Sequence, residues 1–326
     1  MLYRNYKSPK RIFYQFLRKC TLHYNYRNIF IGVKRLDFSA VGEKIKELRK
    51  QIGLSQKELS HNICTQAQIS KIEKGEVLPL SSTLYLISKR LGVDVNYFFD
   101  IGTTPRLDYV DETFRQLKIA RRNTDYQTIK QIVEAEEKNP LFIHHKRNLQ
   151  VLLWHKAIYM YEVEHQLNKA LEMIDESIAL TFDTVYTERE IEIYISKGIF
   201  YSEEGMLDDS LRILENGCRA LNQLPYIQDD TIKSRLYFNV ARVLTSMSKY
   251  DASIAYCKEG IDWVIEKDNL YLLAHFHYHI GYNYELQKNF SLATSYMKDA
   301  LMIFQLVKDY RYTQYIQDKI DSFQNT

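Results

Sequence analysis

Four stretches in the rear two-thirds of the chain lie on one frame, and this repeat constrains the fold more than any other feature. "NKALEMIDESIAL", "DDSLRILENGCRAL", "DASIAYCKEGIDWV" and "SLATSYMKDALMIF" carry small residues at matching places. The first set is Ala170, Ser210, Ser253 and Ala293, at spacings of 40, 43 and 40. The second is Ser177, Gly217, Gly260 and Ala300. Twelve or thirteen residues upstream of the first set stand Ala157, Gly198, Ala241 and Gly281. A period of about forty holds two helices and their turns, and a fixed period of that size marks stacked units. Three small positions per unit let the helices approach closely, with Tyr201, Tyr250, Tyr284 and Phe290 expected in the gaps. Only 11 Gly and 5 Pro in 326 residues leave few breaks, so an all-α chain is expected.

The frame resembles the tetratricopeptide repeat, with helices longer than in its usual unit of about 34 residues. "DYVDETFRQLKIARRNTDYQTIKQIVEAEEKN" reads as a degenerate first unit and "DYRYTQYIQDKIDSFQ" as a capping helix. The resemblance implies a right-handed superhelix over residues 103–326. No unit buries its face alone, so stacking creates a concave inner wall, a surface suited to extended or helical peptides.

Residues 39–102 read as a compact head of five helices. In "SAVGEKIKELRKQIG", Val41, Ile45, Leu48 and Ile52 fall at spacings of 4, 3 and 4, an apolar stripe ended by Gly53. In "LSQKELSHNI", Ser55 is an N-cap, Glu58 completes a capping box, and Leu59 and Ile63 face inward. Thr65 caps "QAQISKIEKG", where Ile69 and Ile72 share a face and Gly75 is the stop. Ser81 or Ser82 is expected to cap "STLYLISKRLG", and "DVNYFFD" closes the head.

The third of these helices buries two isoleucines and turns amides and ammonium groups outward. "SQKEL", "QISKIEKG" and the Pro-containing loop that follows resemble the XRE/Cro-type helix-turn-helix over residues 39–101. That family usually has a Gly in the turn; here the turn reads "NICTQ" and is one residue shorter, as in the PlcR branch. The resemblance implies that this helix enters the major groove, with Thr65, Gln66, Ala67, Gln68 and Lys71 at the reading positions. Gln suits adenine because its amide meets N6 and N7 together. Gln56 would hold a phosphate. Glu73 is expected to tie its helix to a neighbour. The plainer alternative is that Gln66 and Gln68 only solvate a face.

Two residues before the small residue of each first helix stand His155, Ser196, Asn239 and His279. One residue earlier stand Trp154, Ile195, Phe238 and Tyr278. The first set is polar in all four units, among mostly apolar neighbours. In the peptide-sensing group that includes Rap, NprR, PlcR and PrgX, which this tail resembles, an Asn at this place clamps the bound peptide's backbone, and Asn239 matches it. A primary amide suits that task because it donates and accepts at once. The candidate peptide contacts are Asn239, His279, Tyr278, Phe238, Ser196, His155, Arg235 and Tyr312. Ile199 stands where the PlcR branch has a further clamp Asn, which implies a different peptide. The alternative is that the polar set hydrogen-bonds between helices.

Charge divides along the chain. Residues 1–38 hold nine Lys/Arg against one acid, residues 39–102 nine against seven, and residues 103–326 26 against 33. A basic front fits a nucleic-acid contact confined to the first third. Residues 1–38 read either as a basic arm on phosphates or as a poorly ordered leader, such as a start site placed too far upstream would add. Cys20, Cys64, Cys218 and Cys257 show no CxxC spacing, so neither zinc nor a disulfide framework is expected, and a reducing compartment fits. Apolar runs fall far short of the roughly 18 residues of a membrane span. In "HFHYH", His275 and His279 lie four apart, but a glutamate and third ligand are missing, so packing is the default over metal. No P-loop, GxGxxG or GxSxG is present.

Head and tail together resemble quorum-sensing transcription factors. The resemblance implies a cytoplasmic homodimer that reads a palindromic operator in double-stranded DNA under control of a short signalling peptide. No cofactor, membrane contact or catalysis is implied. Two rivals stand beside it: a Rap-like tail that binds or dephosphorylates a response regulator, and a peptide-independent dimeric repressor.

Overall fold

The computed structural model describes residues 38–104, 106–310 and 312–323, so the leader reading of residues 1–38 lies, but for Phe38, outside them. Every regular element among the described residues is a helix. The chain divides into two compact units, one ending at Pro105 and one beginning at Arg106.

The first unit holds α1 (Phe38–Gln51), α2 (Gln56–Ser60), α3 (Gln66–Glu73), α4 (Ser81–Leu91) and α5 (Val95–Thr103). Val41, Ile45, Leu59, Ile69, Ile72, Leu84, Ile87 and Phe98 form its core. The capping box of Ser55 and Glu58 is complete. Thr65 Oγ1 accepts the Gln68 N–H at the start of α3. At its end Gly75 takes φ +72. There the Gly75 N–H reaches Ile72 O and the Glu76 N–H reaches Lys71 O, both at 2.9 Å. This is a Schellman turn.

Asn62 supplies the left-handed residue of the α2–α3 turn, at φ 55. Asn tolerates that region better than other side chains, so the turn closes without glycine. Gly42 fits where nothing larger would: a Cβ there would lie 2.1 Å from Ile72 O, on the backbone of α3.

Two expectations at helix ends fail. Ile52 is 48% exposed. The helix stops at Gln51, and the buried Arg49 occupies the inner face instead. Neither Ser81 nor Ser82 caps α4. Ser81 is already its first residue, and Leu80 stands at the cap with no side-chain bond.

The second unit stacks helix pairs. These are α6 (Leu107–Arg122) with α7 (Tyr126–Glu136), and, after the short α8 (Pro140–Ile143), α9 (Lys146–Glu162) with α10 (Leu167–Ala179). Next come α11 (Glu188–Glu203) with α12 (Leu207–Asn222), and α13 (Thr231–Ser246) with α14 (Tyr250–Glu266). Last are α15 (Leu273–Leu286) with α16 (Phe290–Leu306), closed by α17 (Thr313–Phe323). Each pair packs on the next, and α9, α11, α13 and α15 also touch one another in order, making one wall.

The small residues explain the stacking. All twelve of the frame are buried. A Cβ on Gly260 would lie 2.3 Å from the Phe276 ring, and one on Gly198 2.6 Å from Leu214. At the first small position, serine hydroxyls tie the pair: Ser210 Oγ donates to Gly198 O at 2.7 Å and Ser253 Oγ to Ala241 O at 2.8 Å. Tyr201, Tyr250, Tyr284 and Phe290 are half-buried.

Candidate nucleic-acid interface and ligand groove

The outward face of α3 is fixed from beneath. Buried Arg49 grips buried Glu73 through Nε–Oε1 at 2.5 Å and Nη2–Oε2 at 3.0 Å. A third Arg49 bond, from Nη1 to Leu54 O at 2.7 Å, holds the end of α1. Glu73 therefore ties α3 to α1. Its remaining capacity takes Gln56 Nε2 at 2.9 Å, and Gln56 Oε1 takes Gln66 Nε2 at 2.8 Å. A chain of hydrogen bonds thus runs from a buried ion pair to the first residue of α3. Gln66 keeps its Oε1 and one N–H for a ligand, and Gln56 keeps one N–H.

Thr65, Gln66, Ala67 and Lys71 are exposed and Gln68 is half-exposed. The side chains of Gln68 and Lys71 have no partner among the described residues. Arg90 steadies the turn below, its guanidinium donating to the carbonyls of Glu58, Leu59 and His61. A cation there also suits the negative end of α2.

In the second unit the polar set divides. His155 is buried, with Nδ1 2.8 Å from Val151 O. Burial, with the Arg121 charge beside it, pushes its pKa down to about 3. Ser196 is buried and accepts the Trp154 indole N–H at 2.9 Å. His279 is buried, its Nε2 2.9 Å from Thr245 Oγ1, and burial pushes its pKa down to about 4. Thr245 in turn donates to Asn283 Oδ1 at 2.8 Å, and Asn283 donates to Ser253 Oγ at 3.0 Å. These three members of the set thus bond within the protein.

Asn239 differs. Its Nδ2 donates to Arg235 O at 2.8 Å, and its Oδ1 has no partner among the described residues. It lines a small hollow with Ile199, Ser202, Glu203 and Arg242. Beside this opens a cleft of about 400 Å³ lined by Arg242, Thr245, Ser246, His279, Tyr282 and Leu286. Both lie on the wall of first helices.

Phe238 turns its ring edge-on to His275 and His279, at 5.9 and 5.6 Å between centroids. Tyr278 stands 6.4 Å from Tyr315, and Tyr312 packs 5.8 Å from His275. The two histidines therefore sit among aromatics. No group of three or more His, Cys, Asp or Glu side chains among the described residues could hold a metal.

One turn before the polar set lies a charged layer, of which Arg235 is among the candidate contacts named from the sequence and Glu192 and Arg121 are not. Arg235 Nη1 is 2.6 Å from Glu192 Oε1, and Arg121 Nη2 is 3.5 Å from the same oxygen. Burial works against the Glu192 charge, but these two guanidiniums hold its carboxyl below the usual carboxylate range. A signal was present in the sequence: Glu192 and Arg235, opposite in charge, stand four residues before Ser196 and Asn239, at one register of successive units.

Comparisons with known proteins agree with this architecture. Residues 45–98 match the helix-turn-helix family, and residues 115–324 match the RNPP family C-terminal domain. None of the curated proteins matches the sequence. Among solved structures, Bacillus thuringiensis PlcR in complex with the peptide PapR7 and DNA is 20% identical, with a TM-score of 0.78. That match covers 85% of this chain and 99% of the PlcR chain. ComR from S. thermophilus, in complex with DNA and its signalling peptide ComS, is 16% identical with a TM-score of 0.58, over 87% of this chain and 99% of that one. The Streptococcus dysgalactiae SHP pheromone receptor Rgg2 is 16% identical with a TM-score of 0.57, over 86% and 99%. At these identities the three share the fold. No helix among the described residues is long and apolar enough to cross a membrane.

Proposed function

Because the chain belongs to the RNPP family, whose C-terminal domain it matches over residues 115–324, we propose that it is a peptide-controlled, DNA-binding transcription regulator of the cytoplasm. The head reads DNA through Gln66, Gln68 and Lys71, with Thr65 and Ala67 beside them and Gln56 on a phosphate. The tail binds a short signalling peptide over Asn239, Phe238 and Tyr278, beside the cleft lined by Arg242 and Tyr282. The protein acts as a homodimer, because one head of this size reads one half-site and a palindrome needs two. The peptide favours one arrangement of the repeats, and that preference shifts the population toward a DNA-competent dimer.

One observation carries this reading. A head with a pre-set reading helix is joined, in a single chain, to a repeat wall where Asn239 keeps an unpartnered amide oxygen beside a cleft. The intact head argues against a tail that only sequesters or dephosphorylates a response regulator.

The test begins with peptides that co-purify with the protein from its host, identified by mass spectrometry. Calorimetry then compares wild type with Asn239→Ala. Two backbone hydrogen bonds, each worth about 0.5–1.5 kcal/mol, should vanish, so affinity should fall about 5- to 150-fold. The melting temperature without peptide should stay put, because Asn239 bonds only to its own helix. A large stability loss with unchanged affinity would make Asn239 a structural residue and sink the groove assignment.

A further inference from the structure

Arg121 and Arg235 share one carboxylate oxygen of Glu192, and their surroundings leave them short of acceptors. Arg235 Nη2 has a second carboxylate only at 3.9 Å, that of Asp229, which Lys118 Nζ also approaches at 3.6 Å. Three cations thus lean on two carboxylates. The Arg121, Arg235 and Glu192 side chains are only 18%, 13% and 16% exposed. Arg121 Nε and Arg235 Nη2 are buried and have no hydrogen-bond partner among the described residues. An unpaired donor on a buried cation is costly, and a second carboxylate is the acceptor that a guanidinium fork matches best.

The seat is also held in shape. The Arg121 guanidinium lies 4.2 Å over the Trp154 ring, and Trp154 is anchored by its N–H to Ser196. Arg235 stands one turn before Asn239 on α13, and its carbonyl holds the Asn239 amide. We propose that the groove's occupant carries a carboxylate and that Arg121 and Arg235 seat it, one helical turn from Asn239. This rests on the peptide reading of the groove and deepens it: the ligand is a peptide with a free C-terminus or an Asp or Glu placed at that distance. Burial and the neighbouring Arg235 charge push the Arg121 pKa down, a strain that an incoming anion relieves. Glu192 does not supply the missing charge, since it already serves both arginines.

The test uses the full-length protein and three synthetic pools of random heptapeptides, all without Lys or Arg. One pool has free C-termini and lacks Asp and Glu. The second is C-amidated and contains Asp and Glu. The third is C-amidated and lacks both. Peptides retained on the protein are counted by mass spectrometry. The first or second pool should be retained about 10- to 100-fold better than the third, and which one wins identifies the source of the carboxylate. That preference should collapse in Arg121→Gln and Arg235→Gln, and shrink in Arg121→Lys, which keeps the charge but loses the fork.

The wild-type comparison stands even if a variant melts early. Equal retention of all three pools overturns the carboxylate seat and leaves the groove reading intact. A preference that survives in variants with wild-type melting places the seat elsewhere and also overturns it. Retention of no pool overturns both readings.

Discussion

In the proposed reading, Gln66 meets a base in an orientation that other residues fix. The amide of Gln56 holds it, Glu73 holds Gln56, and Arg49 holds Glu73 in the interior. Gln66→Ala or Gln68→Ala should each cost about 1–3 kcal/mol at one base-pair position. Gln56→Ala should weaken all sequences and also blunt the discrimination owed to Gln66. Fluorescence anisotropy on a panel of single-position operator variants separates these patterns. A Gln66/Gln68 double alanine that binds the panel unchanged would remove α3 as the reader.

The buried histidines set a pH dependence. Burial holds His155 and His279 neutral, with pKa values pushed down to about 3 and 4. An unfolded chain protonates them near the ordinary value of about 6.5, so it binds more protons than the folded one below that point. Their contribution is therefore complete above about pH 6.5 and is lost as pH falls toward the folded values. Urea unfolding at pH 7 and pH 5 should differ by about 2 kcal/mol for each histidine. His279→Gln should remove its share of the slope. A slope that survives in this variant would assign the effect to other groups.

Among the elements, contact between α14 and α15 depends on Gly260 having no side chain. A methyl group there meets the Phe276 ring at 2.3 Å, and Phe276 is itself fully buried. Gly260→Ala should cost about 1–3 kcal/mol of overpacking, read as a lower urea midpoint with the same slope. An unchanged midpoint would show that the pair is looser than described.

This dependence is why the repeat was legible. A close helix approach forbids large side chains at fixed places, and the prohibition leaves a periodic mark in the sequence. Helix ends leave weaker marks, which is why Ile52 and Ser81 were misplaced: one residue of hydrogen-bond register decides them. The four-residue α8 is too short to show a period. Charged pairs are the hardest to read. Arg49 and Glu73 are 24 positions apart, and Arg121 and Glu192 are 71 apart, so neither pairing has a local signature. Asn239, at the register where the frame expects a groove-lining residue, lines a small hollow beside the cleft. The frame could not tell that His155, Ser196 and His279, at the same register, find partners within the fold.

Across the whole molecule, a DNA-reading head is joined to a peptide-sensing tail, and in the proposed function the first answers to the second. Head and tail were legible separately, through a turn-and-cap pattern and a repeat. Their coupling has no sequence motif, because it is a difference in free energy between two arrangements. The most direct measurement is genome-wide DNA occupancy in the native host, with and without conditioned medium, for wild type and for Asn239→Ala. Medium should shift wild-type occupancy at a defined set of palindromic sites, and Asn239→Ala, present at equal abundance, should no longer respond. Occupancy that is the same with and without medium in wild type would contradict peptide control and leave a constitutive dimeric repressor.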